Sequence, residues 1–257
     1  MSFALSIIRL KNALVEPGCP ICRVSDLSAE RYIKQLLWES VNDGETRSRI
    51  IDSLGYCPEH TRLLALTEKN KFGDLLGTNI IYEHLSQVVG QRLRVAHQPP
   101  RIIAWFRRLA GKNSIPIADL TPRGHCRVCQ LAEESAMHVL STLMEELENG
   151  SEMMIERYSS SDGLCLPHLR ISINQLSREY PSAGEFLRQD ALIRLNKWQE
   201  RMSEYIRKKA WEYRHEPFLP EEKSAWQETL AFFTGYPPDS FSNDSHNRDE
   251  KNGGSNG

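Results

Sequence analysis

Apolar positions recur every three to four residues over most of the chain, the spacing of helices that bury one face. From Leu27 they run through Ala29, Ile33, Leu36, Leu37 and Val41, until Asn42-Asp43-Gly44 interrupts the pattern. A shorter run with Ile50, Ile51 and Leu54 stops at Gly55, a residue suited to a left-handed helix cap. Leu63, Leu64 and Leu66 open a third helical stretch, predicted to continue to about His97. Val139, Leu140, Leu143, Met144 and Leu147 repeat the first pattern and end at Asn149-Gly150. A long helix is predicted from about Glu185 to Arg214, burying Leu192, Leu195, Trp198, Met202, Tyr205 and Ile206. A last helix is predicted from about Pro220, tolerated in a first turn, to Gly235. No segment alternates with the two-residue period of a strand, so the predicted fold class is all-α.

The two similar patterns belong to an internal repeat. Cys19-Pro20-Ile21-Cys22 and Cys57-Pro58-Glu59-His60 align with Cys126-Arg127-Val128-Cys129 and Cys165-Leu166-Pro167-His168. Around them Asp26 matches Glu133, Ala29 matches Ala136, Leu36 matches Leu143, Glu39 matches Glu146 and Asn42 matches Asn149. Past a one-residue gap, Gly55 matches Gly163 and Arg62 matches Arg170. The expected organisation is a first repeat over 1–97, a basic Pro-containing linker over 98–124, a second repeat with C-terminal helices over 125–236, and a disordered polar tail over 237–257.

The repeat carries the candidate chemistry. A C-x2-C unit sets two sulfurs on one turn, and C-x2-H sets a sulfur and a nitrogen. Two such units complete the four-ligand shell that zinc prefers. Pairing within each repeat gives Cys19, Cys22, Cys57 and His60 as one set, and Cys126, Cys129, Cys165 and His168 as the other. Spacing alone leaves open whether the repeats exchange their C-x2-C units. Four protein ligands leave no open position, which points to two structural zinc ions per chain. An iron–sulfur cluster fits the same spacing, and a thiol–disulfide role would leave both histidines unused. Arg62 and Arg170, two residues beyond the histidines, are placed either to offset thiolate charge or to stand as plain surface charges. His125, next to Cys126, is a competitor for the ligand place of His168.

All six cysteines fall in these units, in a chain of 257 residues with 40% hydrophobic and 26% charged positions. That composition suits an ordinary globular protein, and the cysteine spacing in a chain of this size favours metal chemistry over structural disulfides. A net charge of -2 argues against a polyelectrolyte binder. No apolar run is long enough to span a bilayer. The start of the chain, with Arg9 and Lys11 behind a short apolar stretch, lacks the order of an export signal, so the expected location is cytoplasmic. One local exception is the linker, where Arg101, Arg107, Arg108 and Lys112 alternate with Ile102, Ile103, Trp105, Phe106 and Leu109. That mixture fits nucleic acid phosphate or an anionic membrane surface, while its plainer reading is an amphipathic packing helix.

These residues together resemble an uncharacterised bacterial family known only as a domain of unknown function. The resemblance rests on Cys19-Pro20-Ile21-Cys22, Gly55-Tyr56-Cys57-Pro58-Glu59-His60, Cys126-Arg127-Val128-Cys129 and Gly163-Leu164-Cys165-Leu166-Pro167-His168. The stretch from Glu204 to Arg214, then Ser224-Ala225-Trp226 and Gly235, extends it to about residues 10–236. The second C-x2-C lacks the proline of the first. The resemblance implies an all-helical metal-binding fold and no activity. With no catalytic triad, phosphate loop or dinucleotide fingerprint, the expected role is a non-enzymatic scaffold or a module that binds an unknown protein partner.

Overall fold

Local chemistry sets most helix ends. Helix α1 spans Phe3–Ala13, and α2 spans Pro20–Gln35, with Pro20 in a first turn where its missing N–H costs nothing. The chain continues from α2 into a π turn, Leu36–Ser40. Asp43 then caps α3 (Gly44–Asp52), its carboxylate accepting from the Thr46 N–H at 2.8 Å. Helix α4 (Pro58–Phe72) ends at the left-handed Gly73, and α5 covers Leu76–Ala96. The second repeat supplies α6 (Arg127–Glu148), α7 (Glu152–Ser160) and α8 (Leu166–Ile171), which runs into a π turn at Ser172–Leu176. Helices α9 (Pro181–Lys208) and α10 (Pro220–Thr234) follow. The computed structural model describes residues 3–96 and 120–241, and among these residues there are ten α-helices and no strand. The chain is all-α, as its periodicity predicts.

Three local expectations are corrected. The stretch predicted to run unbroken from Leu63 to His97 is two helices, because Gly73 turns left-handed and its N–H closes on the Lys69 carbonyl. The long helix stops at Lys208 rather than Arg214. There the Lys208 ammonium bonds the Pro217 carbonyl at 3.1 Å and the Glu222 carboxylate at 2.6 Å, folding the chain back toward α10. The buried stripe of α9 is partly shifted: Trp198 is buried and Leu195 and Met202 pack against the core as predicted, but Leu192 and Ile206 are 42% and 70% exposed, and Ala183, Leu187 and Ala191 face inward. Arg101, Arg107, Arg108 and Lys112 of the basic linker, and the tail beyond Phe241, lie outside the described residues.

The chain divides into two compact units whose boundaries fall inside α2 and α6 and do not follow the repeats. The first unit is Met1–Asp26 with Glu134–Gly257, and the second is Leu27–Glu133. Each has its own core. In the first, Leu10, Ile21, Leu140, Leu143, Met144, Tyr158 and Leu187 are almost fully buried. Helices α9 and α10 close against each other there, with the Trp198 and Phe232 rings 5.5 Å apart and the Trp198 indole N–H donating to Glu228 at 2.8 Å. In the second, Ile33, Leu36, Leu64, Ile81 and Val128 form the core. Buried Glu68 caps the start of α5 there, accepting from the backbone N–H of Thr78 at 2.8 Å and from its hydroxyl at 2.6 Å. Among the described residues no helix is long and apolar enough to cross a membrane.

Candidate metal centres

Each of the four ligand pairs opens a helix in the same way. Cys57 and Cys165 take the N-cap positions of α4 and α8, with extended backbones of φ -64°, ψ 163° and φ -70°, ψ 161°. Their carbonyls accept the first helical bonds, from Thr61 and Leu169 at 2.9 and 2.8 Å. Cys19 and Cys126 stand just before α2 and α6, and their carbonyls accept from Arg23 and Gln130 at 3.1 and 3.2 Å. The fourth residue of every pair therefore lies in a first helical turn, on the same side as the first. The positive end of the helix dipole favours thiolates at such positions.

The pairs assemble across the repeats. Cys19 and Cys22 meet Cys165 and His168, while Cys57 and His60 meet Cys126 and Cys129. Within-repeat closure is thus corrected to an exchange of C-x2-C units, and each resulting group lies inside one compact unit. Helix lengths are in keeping with the exchange. After Cys22, the remaining thirteen residues of α2 and the five of its π turn carry the chain about 27 Å, while α3, nine residues long, covers about 14 Å. The same mismatch holds for α6 and α7, of 22 and nine residues.

Backbone bonds seat both groups. The Gly18 N–H, just before Cys19, donates to Asp162 Oδ2 at 2.6 Å, three residues ahead of Cys165. Correspondingly, the N–H groups of Arg123 and Gly124, just before Cys126, donate to the Asp52 carbonyl at 2.7 and 3.1 Å, five residues ahead of Cys57. Arg194 on α9 steadies the turn before Cys165, bonding Asp190 at 2.6 Å and the Ser161 carbonyl at 2.7 Å. Gly163 lies against that guanidinium with φ 76°.

In the α2–α8 centre, Cys22 Sγ is 3.6 Å from Cys165 Sγ, and His168 Nδ1 is 3.6, 3.4 and 3.1 Å from the sulfurs of Cys19, Cys22 and Cys165. In the α4–α6 centre, Cys57 Sγ is 3.6 Å from Cys129 Sγ, and His60 Nδ1 is 3.2, 3.6 and 3.2 Å from the sulfurs of Cys57, Cys126 and Cys129. All four donor atoms of each group lie within 4.8 Å of one another, and all six cysteines are free thiols. A tetrahedron with metal–sulfur bonds of the zinc length has edges of about 3.8 Å, so either group could hold one metal ion.

The electrostatics point the same way. Burial opposes the Cys19 thiolate, yet contacts with Cys165, Cys22 and His168 hold its pKa well below the usual thiol value. The neighbouring Cys22 is pushed up, first by Cys165 and Cys19 and then by burial. Burial also opposes the His168 imidazolium, but Cys165 and Cys19 outweigh it and raise the pKa to about 10. In the other group, Cys126 is lowered despite burial, by the backbone N–H groups of Cys57 and Cys129, while burial and then Cys57 and Cys126 push Cys129 up to about 12. Thiolate charge competes for one small space in each group, a conflict that a divalent cation relieves.

Several nearby residues stay outside the groups. His125 is exposed, and His60 takes the nitrogen place beside Cys126. Arg62 and Arg170 are exposed, in keeping with plain surface charge. Periodicity and spacing missed the seating residues Gly18, Asp162 and Asp52, whose contacts span distant parts of the chain. A cavity of about 100 Å³ in the first unit touches Cys19 and Cys165 and is walled by Leu164, Trp198 and Phe232.

No solved structure matches the chain. Among curated proteins it is similar to an "Uncharacterized 23.9 kDa protein in xynA 3'region" of Caldicellulosiruptor sp. (strain Rt8B.4). The identity is 37% over 70 residues, covering 27% of this chain and 32% of that protein. The match thus spans about a third of the relative's length. Residues 1–240 match the family described as "Family of unknown function (DUF6062)", and the chain belongs to that family.

Proposed function

We propose that this protein is a non-enzymatic helical scaffold or binding module, fastened by two mononuclear zinc ions in Cys3His shells. Cys19, Cys22, Cys165 and His168 hold one ion, and Cys57, His60, Cys126 and Cys129 hold the other. The observation that carries this reading is the confinement of four donors to within 4.8 Å in each group. An iron–sulfur cluster places several iron and sulfide atoms between its thiolates and needs them spread around it. This packing favours a single ion instead. With four protein ligands the shell is complete, so the ion ties helix starts together and presents no position for a substrate. Six cysteines taken up as metal ligands fit a reducing compartment, in keeping with a cytoplasmic protein.

Elemental analysis of the full-length protein, purified without added metal under anaerobic conditions, tests the proposal. Two zinc ions per chain and a colourless solution are expected. A brown protein carrying iron and inorganic sulfide would overturn it. Cobalt substitution gives an independent check, since tetrahedral Co(II) with three thiolates produces intense visible and sulfur-to-metal bands.

A further inference from the structure

The two centres differ in what covers their sulfurs. In the α2–α8 centre, Cys19 and Cys165 are 6% and 2% exposed and belong to the first unit's core, with Cys22 packed against it. Gly235, the left-handed cap of α10, closes this centre: a Cβ there would sit 2.9 Å from Cys22 Sγ and 3.5 Å from Cys165 Sγ. Backbone therefore lies directly on the sulfurs, where no side chain fits. The chain beyond it stays close, since a Cβ on Gly18 would meet Pro237 Cβ at 3.1 Å. The cavity touching Cys19 and Cys165 leaves both less than a tenth exposed.

In the α4–α6 centre all four ligands are only half-buried, against Cys22 and His168 alone in the α2–α8 centre, and Cys126 alone among its cysteines packs against the second unit's core. Thiolate reactivity follows exposure as well as charge.

Building on the two-ion reading above, we infer that the α4–α6 centre is the chain's thiolate modification site, open to peroxides and soft electrophiles, and that its ion leaves first. Cys129 Sγ, held as a thiolate by the zinc ion, attacks one peroxide oxygen and the O–O bond breaks. One hydroxyl stays on sulfur as a sulfenic acid, and hydroxide departs. Cys57 Sγ, 3.6 Å away, displaces the second hydroxide and forms the Cys57–Cys129 disulfide. Two electrons pass from the two sulfurs to the peroxide. The zinc, left with Cys126 and His60, departs as the dication.

The test is a titration of the full-length, zinc-loaded protein with hydrogen peroxide, following zinc with a chromogenic chelator and cysteine states by differential alkylation and mass spectrometry. One zinc per chain should leave first, with a Cys57–Cys129 disulfide, while Cys19, Cys22 and Cys165 stay reduced. The second zinc should follow about ten-fold more slowly or less readily still. Release of both ions at one rate, or earlier oxidation of the Cys19 set, would overturn the inference while leaving the metal reading intact. A protein that carries no zinc would overturn the metal reading itself. Gly235→Ala should speed the second phase and spare the first. Should that variant not fold, the order of alkylation in the unsubstituted protein by a small maleimide decides the matter in the same way.

Discussion

Cys22 Sγ and Cys165 Sγ lie 3.6 Å apart although 143 positions separate them along the chain. The repeat that holds Cys22 has a C-x2-H unit much nearer in sequence, at Cys57, and that unit serves the other group. Sequence distance is thus a poor guide to which ligands share an ion here.

The exchange has a direct genetic signature. Cys19→Ala and Cys165→Ala should each lower zinc content from two ions to one, and the double variant should lose no more. Cys19→Ala with Cys57→Ala should remove both ions. Stoichiometries matching pairs within a repeat would refute the exchanged arrangement.

Metal removal should cost fold, not only occupancy. Structural zinc in Cys/His shells contributes roughly 10–16 kcal/mol of apparent binding energy that is also folding energy. A strong chelator is therefore expected to lower the melting temperature sharply and to reduce helical circular dichroism, with recovery on adding zinc. Unchanged melting after complete zinc removal would contradict the fastener role.

Two glycines separate backbone strain from contact with the sulfurs. Gly73 and Gly235 both cap helices with positive φ, 77° and 85°, but only Gly235 has sulfurs within reach of a Cβ. Gly73→Ala should cost about 1–2 kcal/mol, the left-handed penalty alone. Gly235→Ala should cost clearly more and weaken zinc retention in the α2–α8 centre. Equal costs in urea titrations would mean the α10 cap does not press on the site.

The Lys208–Glu222 pair predicts an acid-dependent loss of stability. The Lys208 ammonium first, and the Leu219 N–H second, hold the Glu222 carboxyl below the ordinary carboxylate range. A depressed folded-state pKa stabilises the fold above the unfolded carboxylate value of about 4.3, and that share is lost as pH falls through the folded value. Glu222→Gln should lower stability at pH 7 and flatten part of the decline between neutral and acid pH. A variant with the full acid slope would show that other carboxylates carry it.

Much of the architecture was legible in the chain because helices are written locally. The breaks at Asn42-Asp43-Gly44 and Asn149-Gly150, and the last helix from Pro220 to Gly235, follow from caps and a 3.6-residue period. Errors fell where distant contacts decide. Lys208 ends α9 by bonding Pro217 and Glu222, and α9 turns Ala191 inward beside the expected Trp198 while Leu192 and Ile206 stay exposed.

The sequence by itself determined the eight candidate ligands, their duplication and the all-helical class, since these depend on residue type and short-range spacing. Only the tertiary structure decided which pairs share a centre. Helix α2 with its π turn is longer than α3, and α6 is longer than α7, and each C-x2-H unit meets the other repeat's C-x2-C. The same long-range packing set the backbone of Gly235 on the sulfurs of Cys22 and Cys165 and left Cys57, Cys126 and Cys129 half-exposed. Two units alike in spacing therefore became two unlike centres.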